Sequence, residues 1–425
     1  LVRDPGLVSV TAACQLEISV RLRIDEFINC SSCAFKLGTI VIQSIRGNRV
    51  LHADGSLNPA TFSLDDGKIE AVTNKSISGA DLDAGDLLVL PGVVDLHGDA
   101  FERQIHPRPR IGVPPAVGLL ETDRQMIANG ITTAFHGLTV TWEPGSRDIK
   151  SAHSLLDAME RVRPRLVCDT KIHLRHEALS LDTVDECCHW IQTGRVDLLA
   201  LNDHREMVLR SLARGVLRDS VSMHATHYRE LAESMLAREA EVPGTLRKLT
   251  LAAQNAGIPL ASHDDDTPEA RAQYRAMGCT ICEFPADELT AGSAREAGED
   301  IILGGPNILR GGSHCGRVGA AEMIRHGLCT VLCSDYFYPA ILVAPFMLAA
   351  HDVVPFPVAW DLVSSGPARA AKLNDRGELS IGKRADFILV DDRDPMNPEV
   401  RAAFVNGVPV YQRAMELASV SLAAQ

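Results

Sequence analysis

Val93-Val94-Asp95-Leu96-His97-Gly98-Asp99 is a short apolar run that ends in two metal-competent side chains. Its β-branched opening suits a buried strand, and residues two apart in extended backbone share a face, so His97 and Asp99 point the same way. Taken alone, this pattern also fits an exposed polar turn after a strand. Its repetition decides the fold. Comparable runs stand at 131–136, 166–175, 197–201, 258–263, 280–284, 300–304 and 329–334. Stretches with helical patterning separate them, clearest at 149–162, 268–277 and 287–297. Eight strand–helix units in roughly 250 residues match an α/β fold of the (β/α)8 TIM type. A doubly wound open sheet would carry a G-x-G-x-x-G turn after its first strand, and none stands there.

Outside this core the two ends of the chain resemble each other. Thr39-Ile40-Val41-Ile42-Gln43, the turn at Asp54-Gly55 and Asp65-Asp66-Gly67-Lys68 alternate β-type runs with turn residues. Gly382-Lys383-Arg384-Ala385-Asp386-Phe387-Ile388-Leu389-Val390-Asp391 and Phe404-Val405-Asn406-Gly407 repeat the style near the C-terminus. The expected organisation is a small β-sandwich domain from 37–90 plus 376–413, with the barrel at 91–375 inserted in it. Residues 1–36 read as an N-terminal extension without clear period, and 414–425 as a tail.

The 425-residue chain is 46% apolar and 23% charged, as expected of a globular protein, and only 4% aromatic, which favours a Val/Leu/Ile/Ala interior. A formal net charge of −13 argues against nucleic acid as a partner. The longest apolar run, 340–350, is too short for the ~20 residues of a membrane span. Arg21, Arg23, Asp25 and Glu26 break any secretory pattern, so a cytoplasmic enzyme is the expectation. Eleven scattered cysteines do not form a disulfide framework. Of the two CxxC pairs, Cys279/Cys282 lies in a strand, where residues three apart face opposite sides, and Cys30/Cys33 has no second pair at zinc-site spacing.

In a (β/α)8 barrel, functional groups sit where strands end. The third strand reads Lys171-Ile172-His173-Leu174-Arg175-His176-Glu177; its apolar members pack under the helices, so Lys171, His173, Arg175 and Glu177 face the interior. Ionisable groups buried there need an ion or one another. Asn202-Asp203-His204, His263-Asp264-Asp265-Asp266 and Cys333-Ser334-Asp335 end the fourth, fifth and eighth strands. Imidazole and carboxylate donors suit a divalent metal, Zn2+ first, with Mn2+ and Fe2+ as alternatives and one or two ions expected. Such an ion acidifies water towards neutrality, and Asp335 is placed to accept the proton. Gly304-Gly305-Pro306-Asn307-Ile308-Leu309-Arg310-Gly311-Gly312-Ser313-His314 reads as a glycine-rich anion loop, and Arg103, Arg108 and Arg110 cluster after the first strand. These features point to a small anionic substrate.

With these residues in place, the chain resembles the amidohydrolase superfamily, and within it the PhnM-type family of phosphonate breakdown. The resemblance covers 38–412. It is carried by Pro91-Gly92-Val93-Val94-Asp95-Leu96-His97-Gly98-Asp99, Pro107-Arg108-Pro109, His173-Leu174-Arg175-His176-Glu177 and Asp203-His204. Gly304-Gly305-Pro306-Asn307, Arg310-Gly311-Gly312-Ser313-His314 and Ser334-Asp335-Tyr336-Phe337-Tyr338-Pro339 complete it. It implies hydrolysis of α-D-ribose 1-methylphosphonate 5-triphosphate, a phosphorylated sugar, to the 5-phosphate and pyrophosphate. It also implies His97, Asp99, His204 and His263 as metal ligands, Glu177 as bridging carboxylate with Lys171 as fallback, and Asp335 as acid/base at the metal. Arg103, Arg108, Arg175, Asn307, Arg310, Ser313 and His314 become substrate-binding residues. The chain departs from the family pattern at Gly98, at Ala100 and at Arg205-Glu206-Met207. Two alternatives stand beside this reading: a C–N hydrolase using the same ligands on a small amide, and a non-enzymatic scaffold of a phosphonate-processing assembly. A homo-oligomer is compatible with each.

Overall fold

Two sheets take up the strands of the described residues, which in this computed structural model are 42–413 apart from 76, 78, 109–110, 216–224 and 313–318. The expectations for 1–36, 414–425, Cys30, Cys33, Arg110, Ser313 and His314 lie outside them.

The first sheet joins both ends of the chain. It holds β1 (Ser44–Leu51), β2 (Leu57–Asp65), β3 (Lys68–Thr73), β4 (Leu82–Asp83) and β5 (Leu88–Pro91). Far along the chain come β14 (Phe387–Asp391), β15 (Glu399–Val405) and β16 (Val408–Gln412). Its order is β16-β15-β14-β5-β1-β2-β3, with β4 beside β1, so the antiparallel β5–β14 pair welds the two ends together. The β2–β3 hairpin turns on Asp66-Gly67, both at positive φ (45° and 73°), as the right-handed twist of a two-residue loop requires. Phe62, Ile69, Phe387 and Phe404 fill the core beneath this sheet, the last two stacked with ring centroids 4.2 Å apart.

The second sheet is the barrel. Its strands are β6 (Val93–Gly98), β7 (Ile131–Val140), β8 (Asp169–Glu177), β9 (Leu198–Asn202), β10 (Leu260–His263), β11 (Ile281–Glu283), β12 (Asp300–Gly304) and β13 (Val331–Cys333). Neighbours follow chain order and pair in parallel. The ring closes just past β13: Asp335 N–H donates to His97 O (2.9 Å) and Asp99 N–H to Asp335 O (2.7 Å). All eight strands fall where the apolar runs stand in the sequence.

The helices start on local signals. Asp148 accepts from Ser151 N–H at the head of Ile149–Val162, whose Ala152, Leu155, Leu156, Met159 and Val162 form one buried stripe. Thr267 caps Pro268–Ala276 and Asp287 caps Glu288–Glu296 in the same way. No described helix is long and apolar enough to cross a membrane.

Inside the barrel, Phe135, Leu198, Ala200, Ala261, Ile281, Ile302 and Val331 fill the lower layers. Two residues past Ala200, Ala261 and Ile281, strands β9, β10 and β11 turn polar at Asn202, His263 and Glu283. The segment expected to be a glycine-rich anion loop is different: Gly305–Arg310 is an α-helix, with Pro306 in its first turn and Gly311 ending it at φ 72°. Proline at a helix start and glycine past its end are local rules that override glycine content. Asn307 Oδ1 accepts the N–H of Ala320 (2.9 Å), so this side chain caps the next helix. Arg310 is exposed.

Candidate metal centre

At the C-terminal mouth the strands converge their polar ends. The β6 ladder slips against β7 between Asp95 and Gly98, and such an irregularity re-aims side chains. Behind it, buried Asp95 takes both the N–H (3.0 Å) and the hydroxyl (2.5 Å) of Ser334, tying β6 to the segment after β13. A Cβ on Gly98 would come 3.0 Å from Asp95 Oδ2 and 3.3 Å from Ser334 Oγ. Glycine at this departure from the family pattern leaves room for that carboxylate–serine lock.

Two groups of side chains with the donor atoms to hold a metal ion lie side by side. The first is His97, His173 and Glu283, whose donor atoms lie within 4.8 Å of one another. All three are at most 1% exposed. His97 Nδ1 stands 3.4 Å from Glu283 Oε1, and His173 Nε2 stands 3.6 Å from the same oxygen. His173 Nδ1 donates to Leu96 O (3.1 Å), which fixes the tautomer and leaves the Nε2 lone pair facing inward. His97 Nδ1, His173 Nε2 and both Glu283 oxygens are buried without a hydrogen-bond partner. Native interiors satisfy such groups, so the set fits a cation.

The second group is His204, His263 and Asp264. Glu177 adjoins it, 2.8 Å from His204 Nδ1, and Asp264 Oδ2 lies 3.2 Å from His204 Nε2 and 3.3 Å from His263 Nδ1. The His97 and His263 rings are 5.4 Å apart by centroid, with Phe284 packed against both.

Electrostatics favour positive charge here. Burial works against a protonated His97, yet Glu283 and Asp99 outweigh it and raise its pKa to about 10. Burial likewise resists ionising Glu283, but His173 and His97 lower its pKa to about 2. Burial holds His173 neutral, its pKa pushed down to about 3. His204 rises to about 9 because Asp264 and Glu177 overcome its burial.

Asp99 is not free. Its Oδ2 accepts from Arg175 Nη1 (2.9 Å), while Arg175 Nη2 donates to His263 Nε2 (2.8 Å). Arg147, paired with Glu102 by two 2.8 Å bonds, comes within 4.0 Å of the same oxygen. Asp335 is anchored by its backbone beside His97 and Asp99, at φ 53°. Asp264 (61°) and Phe284 (53°) share that left-handed conformation, so strained backbone gathers at three strand ends of this mouth.

The sequence-derived residues His97, Asp99, Glu177, His204, His263, Asp335 and Arg175 thus gather in one mouth. Arg103 lies at its rim, over the Tyr336 ring at 5.7 Å, whereas Arg108 is exposed. Lys171 is corrected as a fallback bridge: six residues before Glu177 on β8, its Nζ sits by Asp169 (3.8 Å) and Asp197 (3.7 Å) at the opposite end of the barrel. Sequence reasoning placed His173 on the polar face without making it a ligand, and it missed Glu283. The available signal was a carboxylate two residues past Ile281, on the interior parity of its strand.

A (β/α)8 barrel with clustered histidines and carboxylates at this mouth defines a metal-dependent hydrolase of the amidohydrolase superfamily. The α-D-ribose 1-methylphosphonate 5-triphosphate diphosphatase of Escherichia coli (strain K12) is 33% identical over 316 residues, covering 72% of this chain and 84% of that enzyme. The chain belongs to the PhnM-type family. No family model matches it. Among solved structures, a crystallised amidohydrolase superposes with a TM-score of 0.59 at 15% identity, over 88% of this chain and 100% of that one. An N-acetyl-D-glucosamine-6-phosphate deacetylase from Mycobacterium smegmatis gives 0.58 at 18%, over 87% and 100%.

Proposed function

We propose that the chain hydrolyses a phosphoanhydride bond of a ribose 1-methylphosphonate 5-triphosphate, releasing pyrophosphate. The observation that carries this reading is the 33% identity with the Escherichia coli diphosphatase across 84% of that enzyme's length. A bound divalent ion, zinc by preference for an imidazole–carboxylate donor set, would supply Lewis acidity to the phosphoryl oxygens and to a water near neutrality. Its holders come from His97, His173, Glu283, His204, His263 and Asp264, with Glu177 and Asp99 beside them. Asp335 takes the proton from the attacking water and returns one to the leaving oxygen. Arg103 at the rim steers the polyphosphate, a task that Arg175, engaged with Asp99 and His263, serves through charge alone.

The test is pyrophosphate release by the metal-replete full chain from the ribosyl triphosphate, run beside a panel of small cyclic and acetylated amides. Pyrophosphate production with no amide turnover is expected. Amide turnover without pyrophosphate would replace this reading with the C–N hydrolase.

A further inference from the structure

We infer that a cavity beside the metal mouth receives the C1 end of the substrate, and that Arg147 and Glu102 there select a singly charged methylphosphonate over a phosphate. The inference rests on the phosphoanhydride reading above and assigns the end of the substrate that lies away from the triphosphate.

The cavity measures about 200 Å³ and lies between the segments that follow β6 and β7. It has room for roughly six groups of ~30 Å³, the volume share of a water, which a tetrahedral phosphonate with its methyl does not exceed. Phe101, Ile105, Val113, Leu138 and Leu155 give it an apolar wall. Arg147 joins it to the metal centre: the residue lines the cavity, and its Nη2 stands 4.0 Å from Asp99 Oδ2. Thr139 lines it as well, two residues past Gly137 on the face of β7 that meets Asp99, and its buried hydroxyl has no hydrogen-bond partner. The cavity is thus placed for the far end of a substrate cleaved at the mouth.

Charge decides what that end can be. Glu102 takes Nε and Nη2 of Arg147 in two 2.8 Å bonds, which leaves Nη1 without a hydrogen bond among the described residues. The pair therefore offers a donor but little net charge, and Asp99 is a second carboxylate close by. A phosphate monoester brings about −1.5 to −2 charges and three acceptor oxygens, more than one open donor and a balanced pair can meet. A methylphosphonate ester brings a single charge, fewer free oxygens and a methyl. Its oxygen suits Arg147 Nη1 and its methyl suits the apolar wall. A further phosphate oxygen against that wall is left without a partner, which is costly.

The experiment compares pyrophosphate release by the metal-replete full chain from three forms of ribose 5-triphosphate. They carry methylphosphonate, phosphate or only the hydroxyl at C1. The wild type should favour methylphosphonate over phosphate in kcat/KM by at least about tenfold. Glu102→Gln, which frees the Arg147 charge, should narrow that preference severalfold. Arg147→Met should lower kcat/KM for the methylphosphonate substrate at least about tenfold more than for the unsubstituted one. Equal wild-type kcat/KM with the two C1 groups, or variants that shift all three substrates together, overturn the assignment and leave the phosphoanhydride reading intact. No pyrophosphate from any of the three overturns both. Because either variant can disturb the fold, wild-type crystals soaked with ribose 1-methylphosphonate 5-phosphate give a check free of mutations. Density for the methylphosphonate between Arg147 and Leu155 supports the assignment; density for it elsewhere refutes it.

Discussion

At Gly137 the interior face of β7 meets Asp99 so closely that a Cβ would overlap Asp99 Oδ1. A methyl there forces Asp99 off Arg175 and, through Arg175, disturbs His263. Gly137→Ala should therefore keep the fold, read by circular dichroism, yet lower kcat by at least about tenfold, since small misplacements at a reacting centre are costly. Full activity would mean that the Asp99–Arg175 pair has no part in catalysis. Asp335→Asn keeps the shape and removes the base. Loss of a positioned proton acceptor costs about 10²- to 10⁴-fold in rate, and the bound metal should remain near wild-type level. A smaller loss in steady-state kinetics would assign proton transfer elsewhere.

Between elements, one buried arginine carries much of the site's support. Arg271 is fully buried on the Pro268–Ala276 helix. It donates to Cys279 O (2.6 Å), Ile281 O (3.3 Å), Ser262 Oγ (2.5 Å) and Glu299 (2.8 Å), with Asp265 at 3.2 Å. These bonds clamp β10 to β11, the strands that end in His263 and Glu283. Arg271→Met leaves buried Asp265 without its cation and Glu299 with Arg275 alone (2.6 Å), and breaking a buried pair in this way costs about 3–5 kcal/mol. A urea-unfolding midpoint within error of wild type would show that the acids find another partner.

Across the whole molecule, Asp169 at the foot of β8 joins the barrel to the C-terminal segment. It pairs with Arg376 (2.6 Å), Arg384 (3.4 Å) and Lys171 (3.8 Å), and Arg376 also reaches Thr133 on β7 (2.8 Å). Burial opposes its ionisation, but Lys171, Arg376 and Arg384 outweigh it and hold the carboxyl below the usual range. A lowered native pKa means that the stabilisation is full above the unfolded value of about 3.9. It is lost as pH falls towards the native value. Asp169→Asn should accordingly be less stable than wild type near neutrality and lose less stability on acidification below about pH 5. Parallel acid limbs in thermal melts of the two proteins would contradict this.

The sequence by itself determined the eight barrel strands, the capped helices and the hairpin at Asp66-Gly67. These features follow from short-range causes: alternation along a strand, a side chain reaching three residues ahead, a glycine free to take positive φ. It also marked His97, Asp99, Glu177, His204, His263 and Asp335 as strand-end residues, because a (β/α)8 barrel sends every strand end to one mouth. Only the tertiary structure decided which of them meet. His97, His173 and Glu283 lie on strands separated by more than 70 residues of chain, and their approach depends on the barrel's closure and on the ladder slip at Asp95–Gly98. The same holds for Arg175, whose place between Asp99 and His263 depends on side-chain direction within a closed interior. Local pattern carries no information about partners across the barrel, because their contacts arise only once the ring of strands has shut.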